Sequence, residues 1–370
     1  MNLSYWEINS WFSEMDVAVV GSGIVGLNTA INIKEKWPKT KVIILEKGAL
    51  PEGASSKNAG FACMGSLSEI LDDLQSHTED EVVRLVEQRW EGLKLLRTLG
   101  DAAIGYEQFG GYEVFTSSAA LHAYVAQVDA INTLLKPLFP SPVFSVVPNT
   151  FGFAQVNDAM IFNPFEGQID TGKMIKQLLF KAACLQIPIL NNCTVSSYVD
   201  LGDVVKIHTN IYDFTCRKLC IATNGFAAQL VDESVRPARA QVLITKPIKG
   251  LKLRGTFHLE KGYYYFRNVQ DRILLGGGRN LDFKGEETTH FGLTNIIQDE
   301  LDRVLKEVVS PGQKVEVAHR WSGIMGVGSQ KKPIIKALSD HVYCGVRMGG
   351  MGIAIGAKVA KEIVNIIKMD

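Results

Sequence analysis

The strongest constraint on this chain is a glycine-rich turn between an apolar run and a helical pattern. Gly21-Ser22-Gly23-Ile24-Val25-Gly26 follows Val17-Ala18-Val19-Val20. Ile24, Leu27 and Ile31 then recur at helical spacing, and Trp37-Pro38 supplies the stop. An apolar run without alternation reads as a strand buried on both faces, which means a parallel sheet covered on both sides. A second such run, Val42-Ile43-Ile44-Leu45, ends in Glu46. The three glycines serve different purposes. Gly21 permits the tight turn, Gly23 lets the backbone approach a diphosphate, and Gly26 lets the helix lie close to the strand. The helix N-terminus around Ile24 and Val25 favours negative charge. Glu46 is placed to accept hydrogen bonds from ribose hydroxyls. The unit therefore predicts a bound ADP-containing dinucleotide.

Composition narrows the alternatives. A chain of 370 residues can build two domains, each with its own core. The 39 basic and 39 acidic residues cancel, which argues against nucleic acid or an anionic membrane as partner. Cys63, Cys184, Cys193, Cys216, Cys220 and Cys344 show no zinc-ligand spacing, and neither do the histidines, so no metal site is expected. Reduced thiols fit a cytoplasmic protein. The first residues lack a basic, apolar leader pattern, and the most apolar stretch, 342–360, is interrupted by glycines, Arg347 and Lys358. No integral membrane segment is expected.

Further along, residues 53–60 form a small polar loop, and 79–99 read as an amphipathic helix with Val82, Leu85, Val86, Trp90, Leu93 and Leu96 on one face. Strands are expected over 106–162, with a helix around 119–135. Asp170 or Thr171 caps a helix through Met174, Ile175, Leu178 and Leu179. A buried run, 218–222, ends in Thr223-Asn224-Gly225; 237–279 is again β-like, and 295–309 helical. The chain closes with an apolar strand at 342–345, glycines at 349–352 and a helix to Lys368. A second strand–glycine–helix unit is unexpected for a nicotinamide enzyme. It is expected when an extended FAD lies across the domain and the last helix points at the flavin.

These segments together resemble the FAD-dependent oxidoreductases that include D-amino-acid oxidase, glycine oxidase and sarcosine oxidase. The matching parts are residues 16–46, 53–60, 167–225 and 345–356, with Arg320-Trp321-Ser322-Gly323 running to Pro333-Ile334-Ile335. The loop at 53–60 and the Ser4-Tyr5-Trp6 start are similar to the γ-glutamylputrescine oxidase branch. The resemblance implies an α/β fold: an FAD-binding Rossmann-like domain of the glutathione-reductase type (residues 1–80, 160–228 and 320–370). Interleaved with it is an α+β substrate domain on an antiparallel sheet (81–159 and 229–319). It also implies that Gly21, Gly23, Gly26, Glu46 and Lys47 hold the ADP half, and that Val195 offers its backbone to the adenine. Thr223, Asn224 and Gly225 would lie against the cofactor, and Ser55, Ser56, Lys57, Asn58, Ala59 and Gly60 along its pyrophosphate and flavin edge. Gly350, Met351, Gly352 and Ile353 would present backbone N–H groups to the flavin ring. Hydride transfer to N5 leaves negative charge near N1 and the C2 carbonyl, which a helix N-terminus aimed there stabilises.

On the substrate side, strand alternation puts Tyr263, Tyr265 and Arg267 on one face and Tyr264 and Phe266 on the other. The resemblance places Tyr264 on an active-site tyrosine and Arg279 where sarcosine oxidases have a histidine. An arginine there could clamp a carboxylate or stabilise reduced flavin. The residues alone equally allow ordinary strand aromatics and an Arg279–Asp282 surface pair. Three family positions depart: the carboxylate-binding arginine falls on Met325, the oxygen-activating lysine on Leu275, and a substrate-binding lysine on Ala354. No flavin-tethering cysteine occurs between Gly323 and Pro333, which implies non-covalent FAD. The expected reaction is oxidation of a C–N bond in a small amine or amino acid. Hydride goes to N5, the imine hydrolyses, and electrons pass to oxygen or to a quinone or carrier. The alternatives are an FAD dehydrogenase of a hydroxy acid or polyol, and a flavin-binding module without activity.

Overall fold

The computed structural model describes residues 2–231 and 235–369. The glycine turn sits at the centre of a parallel sheet in the spatial order Val342–Val346, Phe214–Ile221, Met15–Val20, Val42–Leu45, Ile189–Leu190. Ile334–Ala337 closes one edge in antiparallel sense. Five of the six residues of Met15–Val20 are buried, all but Asp16, which is why the apolar run from Val17 shows no alternation.

Val17 and Val19 face a layer of helices, Ile24–Lys36, Thr171–Cys184 and Gly352–Ile366, whose apolar faces form the largest core. Ala18, Val20, Ile43 and Leu45 face the other way, onto Val195, Val205 and Ile207 of the hairpin Val195–Asp200/Val205–Thr209. The second body is an eight-stranded sheet in the order Val317–Val327, Arg236–Thr245, Arg272–Gly277, Tyr264–Val269, Thr256–Leu259, Gly111–Val114, Ala159–Asn163, Ser145–Pro148. All its pairs are antiparallel except Thr256–Leu259 with Gly111–Val114. The helix Asn295–Val304 packs its apolar stripe, Ile297, Leu301 and Val304, on one face.

Sheet membership shifts the expected divisions. Ala159–Asn163 and Val317–Val327 belong to the antiparallel sheet, so breaks at 160 and 320 cut through its strands. The helix Glu79–Arg97, expected in the substrate part, serves both bodies. Leu93 and Leu96 join the core under the terminal helix, while Val82 and Val86 pack with Leu121, Ile131 and Leu135. Gly92 makes this possible, because a Cβ there would lie 2.0 Å from the Ala354 carbonyl oxygen. The helix expected at 119–135 is two, Ser118–Val125 and Val128–Leu135. They are separated by a turn in which Ala126 N donates to His122 O and Gln127 N to Tyr124 O. The 295–309 helix ends in a wider π turn, Leu305–Val309.

Candidate active site

One cavity of about 590 Å³ runs from Glu46 and Val195 at the edge of the parallel sheet to Tyr265 and Arg279 on the antiparallel sheet. At its first end Gly21 takes φ 102°, a conformation that favours glycine. Gly26 is a packing glycine: its Cβ would lie 1.9 Å from the Gly21 carbonyl oxygen. Gly23 caps the helix Ile24–Lys36 without any side-chain bond. Ser4, Ser66, Thr78, Ser117 and Asp170, by contrast, cap other helices with their side chains. The terminal helix Gly352–Ile366 also starts on the cavity without a side-chain cap. A close crossing brings the two helices together, with Gly356 where a Cβ would sit 2.8 Å from Ile24 Cγ2. Two helix N-termini without an N-cap side-chain bond face one elongated cavity and suit negatively charged groups there, with Ile24 N taken by a side chain, Ser55 Oγ.

Glu46 is buried at 4% exposure, and its Oε2 accepts from Ser22 N at 2.9 Å and Ser22 Oγ at 2.7 Å. Oε1 accepts from Gly48 N at 3.0 Å. Much of the acceptor capacity expected for ribose is thus held by the protein, so a ribose hydroxyl would share an oxygen or displace Ser22 Oγ. Lys47 lies over the Phe226 ring at 3.2 Å, and burial lowers its pKa. Val195 and Thr194 line the cavity too, as does Thr223, whose buried Oγ1 has no hydrogen-bond partner.

The loop 53–60 is fixed from several sides. Ile24 N donates to Ser55 Oγ at 2.9 Å, and Asn58 Nδ2 donates to Ala54 O and Ser55 O. Asn58 Oδ1 accepts from Gly60 N and Thr171 Oγ1, and Trp321 Nε1 donates to Lys57 O at 2.9 Å. Ser55, Lys57, Asn58, Ala59 and Gly60 line the cavity; Ser56 does not, its hydroxyl being turned to Pro51 O. Asn224, at φ 44°, accepts from Met348 N at 3.0 Å and so ties the strand end to the terminal glycine loop. Gly225, Gly350, Met351, Gly352 and Ile353 also line the cavity.

At the far end the structure departs from the expected site. Tyr264 points away from the cavity into the core beneath Asn295–Val304, with its hydroxyl 3.4 Å from Glu300 Oε1. Tyr263 and Tyr265 face the cavity instead. Leu275, the position matched to the oxygen-activating lysine, is buried in that same far core, whereas Gly276 lies against the Tyr265 ring. Strand alternation puts Tyr264 and Leu275 on the core face, opposite the face that Tyr263 and Tyr265 present to the cavity. Arg279 does line the cavity; its guanidinium stacks on Phe283 at 4.7 Å and forms no ion pair among the described residues. Burial lowers its pKa, and burial pushes the Tyr265 hydroxyl up to about 12.

Several residues with no sequence signal complete this end. Lys331 Nζ lies 2.7 Å from Asp73 and 3.7 Å from Glu69, and Lys261 lies 3.8 Å from Asp72. Cys63 and His258 stand on the wall, with Glu166 behind His258 at 3.6 Å. Burial lowers the His258 pKa, but Cys63 and Glu166 more than reverse this and hold it well above its usual value. Burial raises the Cys63 thiol.

The glycines, the two uncapped helices and the elongated cavity fit FAD, and comparison with known proteins agrees. Residues 16–366 match the FAD dependent oxidoreductase family, and the chain belongs to it. It is an FAD-dependent oxidoreductase. It is 23% identical over 345 residues to sarcosine oxidase subunit beta of Rhizobium meliloti, covering 89% of this chain and 78% of that one. The fold is similar to L-proline dehydrogenase from P. horikoshii at TM-score 0.77 and 15% identity, over 96% of this chain and 93% of that one. Glycine oxidase from Bacillus cereus also superposes at TM-score 0.77, with 16% identity over 96% and 95%. No helix among the described residues is long and apolar enough to cross a membrane.

Proposed function

We propose that this enzyme dehydrogenates the C–N bond of a small amino acid or related amine that carries a carboxylate. The observation that carries the reading is Arg279: a cation on the cavity wall, over the Phe283 ring, that forms no ion pair among the described residues, the nearby Glu286 and Glu287 being paired with Arg239 and Arg236. Leaving a half-buried guanidinium without an anion is unfavourable, and a substrate carboxylate would satisfy its fork. Sarcosine, glycine and L-proline, named in the relatives above, each bear a carboxylate beside a C–N bond.

The chemistry supplied by non-covalently bound FAD is acceptance of a hydride from the carbon next to nitrogen, leaving an imine that water hydrolyses. This chain's residues orient and stabilise. The N-terminus of Gly352–Ile366, which starts at the cavity, would offer its N–H groups to negative charge on a bound flavin. Tyr265 stays protonated at neutral pH and can donate a hydrogen bond from the same sheet that carries Arg279. Lys331 with Asp73, and Lys261 with Asp72, cluster at the same end. The buried thiols Cys193, Cys216 and Cys220 support a reducing, cytoplasmic setting.

The test is anaerobic bleaching of the flavin by a panel of amino acids, N-methyl amino acids and their decarboxylated amines. Carboxylated members should bleach it, and Arg279→Met should raise their KM by about a hundredfold while leaving FAD content intact. Bleaching only by amines without a carboxylate, or by none of the panel, overturns the reading. Reoxidation by air against reoxidation by a quinone dye then assigns oxygen or a carrier as acceptor.

A further inference from the structure

Three segments far apart in the chain converge on one point of the cavity wall. Cys63 follows the short strand Phe61–Ala62, and Glu166 precedes Gly167–Gln168, which pairs with that strand in antiparallel register. His258 comes from the strand Thr256–Leu259 of the other sheet. One ligand atom from each, the Cys63 sulfur, a Glu166 carboxylate oxygen and a His258 ring nitrogen, lies within 4.8 Å of the other two. Cys63 is 5% and Glu166 2% exposed.

The cluster is not a finished hydrogen-bond network. His258 Nε2 is buried and has no hydrogen-bond partner, although Glu166 Oε2 faces it at 3.6 Å. Oε1 of Glu166 is already engaged by Met64 N at 3.3 Å, which leaves Oε2 for the cluster. Gly111 makes room for this carboxylate, since a Cβ there would lie 2.0 Å from Oε2. The ring is further held edge-on by Phe61, centroids 5.2 Å apart. The imidazole nitrogen thus meets the carboxylate only at ion-pair distance, with the thiol sulfur within 4.8 Å, a set of contacts that a bridging ion would complete.

Thiolate, imidazole and carboxylate together suit a borderline-soft divalent ion of the zinc class. The Nε2–Oε2 separation of 3.6 Å is already the edge of a tetrahedron with bonds of about 2.2 Å. Thiolate and carboxylate would neutralise a 2+ ion, so the loaded site would bury no net charge. Cys63 and His258 line the cavity, so the fourth coordination position opens onto the substrate end. We infer that Cys63, Glu166 and His258 form a three-ligand site for a zinc-class divalent cation, with its open position facing the substrate compartment.

The experiment uses tag-free FAD-loaded protein, stripped with a chelator and dialysed against Zn²⁺, with zinc and flavin counted per chain. About one zinc per chain is expected. Cobalt substitution should add a thiolate-to-metal charge-transfer band to the difference spectrum against the flavin background. Cys63→Ser should abolish that band, and Glu166→Gln and His258→Gln should each weaken zinc binding by at least tenfold while flavin content is retained. Absence of stoichiometric zinc in the wild type, or zinc binding unchanged in Cys63→Ser and His258→Gln, overturns the inference. The wild-type count decides the matter even where a variant does not fold, and no readout depends on turnover.

Discussion

Arg267 offers the sharpest test of how the two bodies are joined around the cavity. It is 5% exposed and forms no ion pair among the described residues. Its guanidinium donates instead to three carbonyls: Nε to Ala59 O, Nη1 to Asn268 O at 3.1 Å, and Nη2 to Ile169 O at 2.9 Å. Two of these belong to segments of the flavin-side body, so one side chain of the antiparallel sheet pins the loop 53–60. Gly60 is shaped around it, because a Cβ there would lie 2.6 Å from Nη2. Burial lowers its pKa to about 10, so it stays charged at neutral pH.

The magnitude follows from two opposing terms. Hydrogen bonds from a charged donor contribute roughly 1.5–3 kcal/mol each. Three of them give about 6 kcal/mol. Against this stands the hydration lost on burial. A fall from 12.5 to about 10 corresponds to about 3 kcal/mol, at about 1.4 kcal/mol per pH unit. Arg267→Met keeps the length and removes both terms, for a net loss of about 3 kcal/mol. For a chain of 370 residues, whose unfolding entropy is about 0.8 kcal/mol per degree, that is a drop of about 4 °C in the unfolding midpoint, read by flavin fluorescence and tryptophan fluorescence in parallel. Flavin release should come first, because the lost bonds hold the flavin loop. Arg267→Lys keeps a buried charge but not the fork, and should be no more stable than the methionine variant. A shift below about 2 °C, with flavin release unchanged, would refute the reasoning.

Other substitutions separate packing from chemistry. Gly26→Ala places a methyl 1.9 Å from the Gly21 carbonyl oxygen, so the helix must leave the strand; FAD per chain after purification should fall at least tenfold. Tyr264→Phe removes only a 3.4 Å contact to Glu300, so kcat should change by less than about twofold, whereas Tyr265→Phe should lower kcat/KM. Glu69 is pushed up by burial, but Arg89 and Lys331 outweigh this and hold its pKa below the usual range. Its folded pKa being depressed, its stabilisation is full above the unfolded value and is lost as pH falls through the folded one. Glu69→Gln should therefore flatten the acid limb of a melting-temperature profile below about pH 4.5.

What the sequence made legible depended on how local the physics was. Gly21, Gly23 and Gly26 sit within six residues of one another, and the demands on them come from one turn, one strand and one helix. That unit was readable, as was the terminal helix, because a strand, a glycine turn and an apolar stripe are contiguous. The alternation that sorted Tyr263 and Tyr265 from Tyr264 was also local and correct, and the structure keeps those faces. Tyr264, where the resemblance places an active-site tyrosine, lies on the core face of that pattern. Period-two alternation is the stronger constraint, because one side of this strand is a helix-covered core and the other a cavity. Glu46 shows the opposite limit: its place at the strand end was legible, but its capture by Ser22 and Gly48 depends on side-chain packing that no spacing encodes. Cys63, Glu166 and His258 carry no spacing at all; the sheet of Phe61–Ala62 with Gly167–Gln168 sets two of them side by side, and the second sheet delivers the third. A site whose ligands arrive one from each of three segments leaves no period or motif in the chain. Its trace is a stereochemical one that only the fold displays: a buried imidazole nitrogen facing a carboxylate at 3.6 Å with a thiol within 4.8 Å.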